Sequence, residues 1–492
     1  MTKIIRTSLV AGLMLTGANA AASNASLEAK LNTLEQELAT VKKQLKSQKK
    51  KLNKVKAHDA NDNLKWGVDL RTAVDHLSYD MADSSTRDNN ALMSLRLWLN
   101  MAYAPDSHNI FKGQLSMNKA FGADFGTVNG DYRAFSMGSL FDWTGNEALS
   151  DNTLKVKEAY WLYLGDNLFG TDIPWTFSVG RRPSVGGFLA NFREDDAAKS
   201  PLGHNINVEF DGLSSMVKLE NVTGVSGMSF KVCIGRGSTN ATPLFSDATS
   251  YAEDNGLDSV DLVGFIFVPY DDGQFVVKTN WFKAFNLPGA TMDQNMTITG
   301  FQEEGDMQGA AISVLVDGIT EDGYFSDVKA FASFAWSQTQ PDAGNAMLGS
   351  TDDESGTSYW LGALLPVVED GVLGVEYNHG SKYWRSFTYG EDTMIGSKLA
   401  ARGDAYEAYF TYKINKALSA QIRYTRIDYD YTGSNGFFGN TTGNAMKIDD
   451  VKRGAAAYDA GYITPETTMA KNMLPNIVES AQDLRFYIRY RF

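Results

Sequence analysis

The last eleven residues constrain this chain more than any other stretch. From Gln482 to the terminal Phe492 the sequence alternates without a break: Leu484, Phe486, Ile488, Tyr490 and Phe492 share one parity, and Asp483, Arg485, Tyr487, Arg489 and Arg491 the other. Side chains along a strand point to opposite faces with a period of two, so this segment predicts a strand with one apolar and one charged face. Aromatic residues gather at its end, where the interfacial girdle of a membrane strand belongs. The edge strand of a soluble sandwich is the plain alternative.

The opposite end of the chain weakens that alternative. Lys3 and Arg6 form a basic start, residues 9–15 an apolar core, and Ala18-Asn19-Ala20 a small-x-small cleavage site, so residues 1–20 read as a signal peptide. The apolar core is too short for a bilayer, which requires about 20 residues in a helix. No later run approaches that length, so membrane crossing falls to strands. An apolar content of 43% is compatible with this, because only every second residue of a membrane strand faces lipid. The formal net charge of −14 argues against nucleic acid as a partner. Cys233 is the single cysteine, which leaves no intramolecular disulfide and no covalent c-type haem site.

After the leader, Leu27, Leu31, Leu34, Leu38, Val41, Leu45, Leu52 and Val55 recur by alternating steps of four and three, with Gln48 in the series. That spacing predicts a coiled-coil seam across 21–57. Glu28, Glu35 and Glu37 precede a lysine-rich second half, matching the helix dipole. A seam this regular calls for a partner helix, and a periplasmic homotrimer stalk is expected, although leucine at both seam positions does not fix the number of strands; a tether toward the cell wall and a lone amphipathic helix are the other readings. Residues 58–63, polar and rich in Asn and Asp, form a linker.

From Leu64 onward, alternating segments follow near 64–75, 91–104, 109–120, 154–165, 174–183, 204–220, 226–236, 258–269, 274–286, 309–317, 324–338, 357–366, 371–379, 403–413, 418–431 and 482–492. The expected fold is therefore an all-β transmembrane antiparallel barrel of about sixteen strands over 64–492, preceded by the short α-helical coiled coil. Connections alternate in length. Those at 105–108, 166–173, 221–225, 270–273, 318–323, 367–370 and 414–417 are short; those at 79–90, 121–153, 184–203, 237–257, 287–308, 339–356, 380–402 and 432–481 are long. Outer-membrane barrels keep short turns on the periplasmic side and long loops outside, so both chain ends are expected in the periplasm.

Chemistry-bearing motifs are sparse. His58, His76, His108, His204 and His379 are scattered without metal-ligand spacing, and no nucleophile elbow, phosphate loop or His-Glu-x-x-His occurs. No enzyme activity, metal or cofactor is expected. Basic residues do fall on the predicted lumen faces: Arg71, Arg96, Lys112, Arg182, Lys231, Lys278, Arg423, Arg485, Arg489 and Arg491. Such residues favour anions in a pore. A second reading pairs them with Asp69, Asp75, Glu376, Glu407 and Asp483 as a structural charge network.

The terminal alternation, ending in phenylalanine, resembles the assembly signal of outer-membrane porins, which implies that Phe486, Ile488, Tyr490 and Phe492 address the chain to the barrel-insertion machinery and to outer-membrane lipid. In general porins one loop folds inward as a constriction. The corresponding stretch here, 184–203, carries Arg193, Glu194, Asp195 and Asp196, and the analogy makes these four the constriction candidates. Further runs are Val179-Gly180-Arg181-Arg182-Pro183 with Gly186-Gly187, Phe210-Asp211-Gly212, the stretch Gly374-Val375-Glu376-Tyr377-Asn378-His379-Gly380-Ser381-Lys382-Tyr383-Trp384, Ser397-Lys398-Leu399, Arg402-Gly403 and Tyr429-Asp430-Tyr431-Thr432-Gly433-Ser434. Together they resemble a porin-like family of bacterial outer-membrane proteins of unknown function. The resemblance implies a barrel and a location, and no substrate. Two functional expectations stand: passive diffusion of small polar or charged solutes, or a non-conducting barrel serving as sheath or receptor for a partner such as an electron-transfer cytochrome.

Overall fold

Sixteen segments pair edge to edge in this computed structural model, which describes residues 64–492 apart from 123–140, 143–145, 147, 150–151, 183–185, 242–250, 253–255, 293–297, 321, 389–393, 437 and 440–442. The signal peptide, the coiled-coil seam and the linker lie outside the described residues, as does Pro183. The barrel strands are β1 (Lys65–Met81), β2 (Thr86–Tyr103), β3 (Asn109–Ala120), β4 (Lys155–Gly165), β5 (Trp175–Arg182), β6 (Phe210–Lys218), β7 (Ser229–Ser238) and β8 (Val260–Asp271). They continue as β9 (Phe275–Met292), β10 (Ile298–Asp317), β11 (Lys329–Pro341), β12 (Ser355–Val368), β13 (Gly371–Gly380), β14 (Gly403–Lys413), β15 (Leu418–Tyr429) and β16 (Val478–Arg491). Each pairs with its sequence neighbour, and β16 closes on β1, with Asp69 opposite Arg491 and Leu77 opposite Asp483. Closure removes every free strand edge, which is the condition for a sheet to stand in hydrocarbon.

The outer surface carries the apolar parity. Trp161, Val179, Ile234, Ile312, Phe334, Leu361, Ile422 and Phe486 are all exposed there. On β16, Leu484, Phe486, Ile488 and Tyr490 point outward while Asp483, Arg485, Tyr487 and Arg489 are buried inside. One set of connections is tight. In the β2–β3 turn Asp106 Oδ1 accepts from the Asn109 amide at 2.7 Å, and in the β8–β9 turn Asp272 Oδ1 accepts from the Phe275 amide at 2.7 Å, the Asx chemistry that Asp supplies in turns.

Two expected long loops are strand instead. The 79–90 connection shrinks to residues 82–85, with Tyr79 pairing Arg87, and 287–308 is mostly ladder, with Gly289 pairing Gln302. Beyond the bilayer both faces of a ribbon meet water, so the hydrogen-bond ladder runs on without the apolar alternation that marks a strand. At about 3.3 Å per residue, the 20 residues of β10 exceed the roughly 30 Å hydrocarbon core by a wide margin. The 432–481 connection contains two unexpected helices, α1 (Ile448–Asp459) and α2 (Pro465–Met473). Ile448, Val451 and Ala455 form the buried stripe of α1, and Thr464 with Thr467 closes a capping box on α2.

The interior divides into sectors. On β9–β12 much of the inward face is apolar: Val276, Ala311, Leu315, Phe331, Ala335, Trp360 and Leu364 form one cluster, with buried Ser313, Ser333 and Ser358 among them. That cluster is completed by Phe188, Leu189, Leu202, Trp384 and Leu399, which belong to loops. On β13–β16 and β1 the inward side chains are charged and buried, among them Asp69, Arg71, Asp75, Glu376, Glu407, Arg423, Asp483, Arg485 and Arg489. The loops are therefore anchored by burial on one wall and by ion pairs on the other.

Candidate functional site

The connection between β5 and β6 turns into the lumen. Gly187 and Phe188 pair with residues of 199–202 as a small parallel ladder, and Phe188, Leu189 and Leu202 sink into the apolar sector. Leu189 holds φ at +76 and is fully buried, a conformation that costs about 1–3 kcal/mol and persists where packing over-determines it. The insertion continues to Glu209, so the strand expected from 204 begins at Phe210. His204 explains the late start: its ring nitrogens meet Ser333 Oγ at 2.8 Å and Ser358 Oγ at 2.9 Å, across the barrel on β11 and β12. Burial pushes this loop imidazole down to about 3, which keeps it neutral.

The tip of this segment carries the four constriction candidates. Glu194 accepts from Arg71 Nη1 at 3.3 Å, Arg423 Nη1 at 3.1 Å and Tyr487 Oη at 3.1 Å. Arg193 Nη1 reaches Glu407 at 3.4 Å, and its carbonyl accepts from Gln421 at 2.7 Å. Asp196 takes Arg489 at 2.8 Å and Arg491 at 2.6 Å, while Asp195 takes Lys413 at 3.0 Å. Lys413 and Arg491 end their strands at the rim opposite the one where the segment enters after Arg182. The inserted loop thus traverses the lumen.

The 380–402 connection was expected as an external loop, and its described parts, 381–388 and 394–402, also lie inside. Trp384, Arg385, Phe387, Lys398, Leu399 and Arg402 are all buried, and Phe387 pairs with Ile206 of the first insertion. It docks on the Glu376–Gly380 run that marked the sequence: Glu376 takes Lys398 Nζ at 2.6 Å and Trp360 Nε1 at 2.9 Å, and Asn378 Nδ2 donates to the Lys398 carbonyl at 2.9 Å. Arg402 donates to the carbonyls of Trp384 at 3.0 Å and of Thr432 and Gly443 at 2.8 Å each. The signal for this insertion was present, since Trp384, Phe387, Ile395 and Leu399 are too apolar for a solvated loop. Lys157 and Glu209, paired at 2.7 Å, also escaped the sequence reading.

The basic lumen residues separate into two groups. Arg71, Arg423, Arg485 and Arg489 are at most 3% exposed, and they hold the inserted tip or pair with wall carboxylates, Arg485 with Asp75 and Arg489 with Asp69 at 2.8 Å. Among the described residues the fully buried charges nearly cancel, with ten basic and nine acidic side chains. Lys112, Arg182, Lys231 and Lys278 are different. They stand on β3, β5, β7 and β9, Lys112 exposed and the other three partly accessible. Arg182 lies 4.1 Å from the Tyr160 ring centroid, Lys278 4.1 Å from that of Phe188, and Lys231 Nζ is 2.8 Å from Ser200 Oγ.

Among the described residues, two cavities lie beside the inserted loop. One, of 210 Å³, lies against β1–β4 and is lined by Arg96, Trp98, Lys157, Asn191, Lys199 and Arg491 with their neighbours. The other, of 50 Å³, brings Arg182, Lys231, Cys233 and Asn280 against Ser200 and Ile206 of the loop.

A closed antiparallel barrel, apolar outside and occupied inside by two of its own loops, defines a transmembrane β-barrel protein. Residues 86–492 match the family described as protein of unknown function (DUF3373), and the chain belongs to that family. Solved structures share the fold. An anion-selective porin from Comamonas acidovorans is 12% identical, with 87% of this chain and 99% of that chain covered and a TM-score of 0.47. OmpF of Salmonella typhi, in complex with daunomycin, is 12% identical over 88% and 99%, with a TM-score of 0.44. OprB of Pseudomonas putida is 13% identical over 89% and 96%, with a TM-score of 0.44. No curated protein matches the chain.

Proposed function

We propose that the protein is a porin-like channel of the bacterial outer membrane that passes small polar or charged solutes by passive diffusion, with a preference for anions. The observation that carries this reading is the row Lys112, Arg182, Lys231 and Lys278 along one lumen wall, in a chain whose net charge is −14. Accessible cations concentrated inside an acidic protein raise the local concentration of anions. The inserted tip, Arg193 to Asp196, is the constriction, and the ion pairs that seat it fix how much of the lumen stays open. The outward face of β16, ending in Phe486, Ile488, Tyr490 and Phe492, serves as the strand read by the insertion machinery. Both chain ends face the periplasm, and the seam from Leu27 to Val55 joins three copies there. A sheath around a partner protein fits less well, because Trp360, Trp384, Phe387 and Leu399, all buried, fill space that such a partner needs.

Planar-bilayer recording of the refolded protein in a salt gradient tests the proposal. Stepwise openings with a reversal potential on the anion side are expected. The combined variant Lys112→Gln, Arg182→Gln, Lys231→Gln and Lys278→Gln should move that potential toward the cation side. A folded barrel that never conducts, or one that prefers cations before any substitution, overturns the reading.

A further inference from the structure

We propose that the 50 Å³ cavity between the first inserted loop and β7–β9 is a binding site for a doubly charged tetrahedral oxyanion, the phosphoryl group of inorganic phosphate or of a phosphate monoester. The site rests on the channel reading and deepens it by naming the class of anion that the lumen delivers. One water needs about 10–15 Å³ of such space. The cavity therefore holds roughly three or four waters, about the room taken by the oxygens of one tetrahedral anion.

The charge around it is uncompensated. Arg182 on β5 and Lys231 on β7 line the cavity, and no carboxylate does. Among the described residues neither cation pairs with an acid, whereas Arg71, Arg423, Arg485 and Arg489 all do. Both Arg182 and Lys231 are partly accessible. Tyr160 positions the Arg182 guanidinium, 4.1 Å from its ring centroid, and Lys112 stands opposite Tyr160 in the ladder as a third cation. Glu158, two residues from Tyr160, is engaged by Lys199.

The hydrogen-bonding groups that a ligand can reach are donors. Lys231 Nζ donates to Ser200 Oγ at 2.8 Å in an exposed position, which uses one of its three hydrogens and leaves the serine hydrogen to point at an anion. Asn280 also belongs to the lining, but its Oδ1 is sealed from solvent. Arg182 Nη1 is sealed too, which leaves Nε and Nη2 for the ligand, a planar pair suited to phosphate oxygens. Ile206, Phe210, Leu262 and Phe282 supply apolar wall, where attraction between charges is screened less than in water. A second negative charge repeats that gain, so a dianion is preferred to a monoanion. Ser200 is exposed, so the substituent of a monoester can leave the cavity on that side.

Glycerol phosphate, inorganic phosphate, sulfate and formate test the site in calorimetric titrations of the full-length folded protein in detergent. At pH 7.5 the dianions should bind saturably and at least about tenfold more tightly than formate. A monoester loses its second charge near pH 6, so glycerol phosphate should weaken about tenfold between pH 7.5 and 5, while sulfate, doubly charged throughout, should not. Cys233 lines the same cavity and reports location: bound phosphate should slow its modification by a neutral thiol reagent, and Lys231→Gln should remove both the protection and the preference for dianions. Inorganic phosphate binding alone assigns the site to the free ion, and binding of both phosphates assigns it to the phosphoryl group of monoesters. No saturable binding, formate bound as tightly as the dianions, or a Cys233 rate indifferent to phosphate each overturns the site. If K231Q does not fold, the four anions on the unsubstituted protein decide. Anion-preferring conductance without phosphate binding removes the site and keeps the channel, while phosphate binding to a barrel that never conducts does the reverse.

Discussion

Glu194→Ala is the substitution that most directly probes how the lumen is held. The Glu194 carboxylate is 8% exposed and receives Arg71, Arg423 and Tyr487 at 3.1–3.3 Å. Deleting one member of a buried ion pair costs about 3–5 kcal/mol, because the remaining charge loses its compensation. The barrel ladder does not depend on this contact, so the loss falls on the seating of the loop tip, where water can rehydrate the arginines. At 1.36 kcal/mol per power of ten, the unseated population should rise by roughly two to nearly four powers of ten. Cys233 reports it without any assumption about conductance, since it shares a cavity with Ser200, Pro201 and Ile206 of the same segment. The rate of thiol modification in the folded protein should rise steeply in E194A and less in E194Q. A folded E194A barrel whose Cys233 reacts at the original rate would refute the assignment of Glu194 as the latch.

Other expectations follow from the same packing. Gly356→Ala places a Cβ onto the backbone of Trp384, and backbone cannot rotate away as a side chain can, so the second insertion should unseat; a gain in proteolysis within 381–402 checks this. The His204 imidazole is held down to about 3 by burial, below its unfolded value near 6.5. The unfolded state then binds the extra proton, so this contribution is complete above pH 6.5 and is lost as pH falls toward 3, reaching about 3 kcal/mol by pH 4. Denaturant midpoints measured from pH 7 to 4 should fall less steeply in His204→Gln. Leu34→Lys with Leu38→Lys should reduce the assembled protein to monomers by light scattering while leaving barrel circular dichroism intact; trimers that persist would place the contact elsewhere.

Which parts of this structure were legible beforehand follows from what alternation can encode. A strand in a bilayer must keep one parity apolar, so residues such as Leu484, Phe486 and Ile488 declare it, and sixteen strands could be found in order. Outside the bilayer that requirement lapses. The polar ladder from Thr86 to Asn90 therefore looked like loop, as did the extension through Gly289 and Gln302. The lumen side misled in the opposite direction. Alternation on β11 places Phe331 and Ala335 inward, and a water-filled pore has no use for them until Phe188, Leu189 and Trp384 arrive from loops.

The inserted tip was anticipated by analogy, whereas its partners were not. Glu194 meets Arg71, Arg423 and Tyr487 from positions 123, 229 and 293 residues away in sequence, and no local pattern records such a meeting. The second insertion has an apolar trace in the sequence at Trp384, Phe387 and Leu399, but alternation, which marks strands, does not register it.

The terminal strand shows the division most clearly. Its sequence by itself determined that Leu484 to Phe492 form a two-faced strand, because parity is a property of the extended backbone. Only the tertiary structure decided that Arg485 and Arg489 are buried in ion pairs while Arg491 remains half accessible beside the cavity. Those outcomes depend on how far a loop from another part of the chain descends, and the ion pairs form only where it stops.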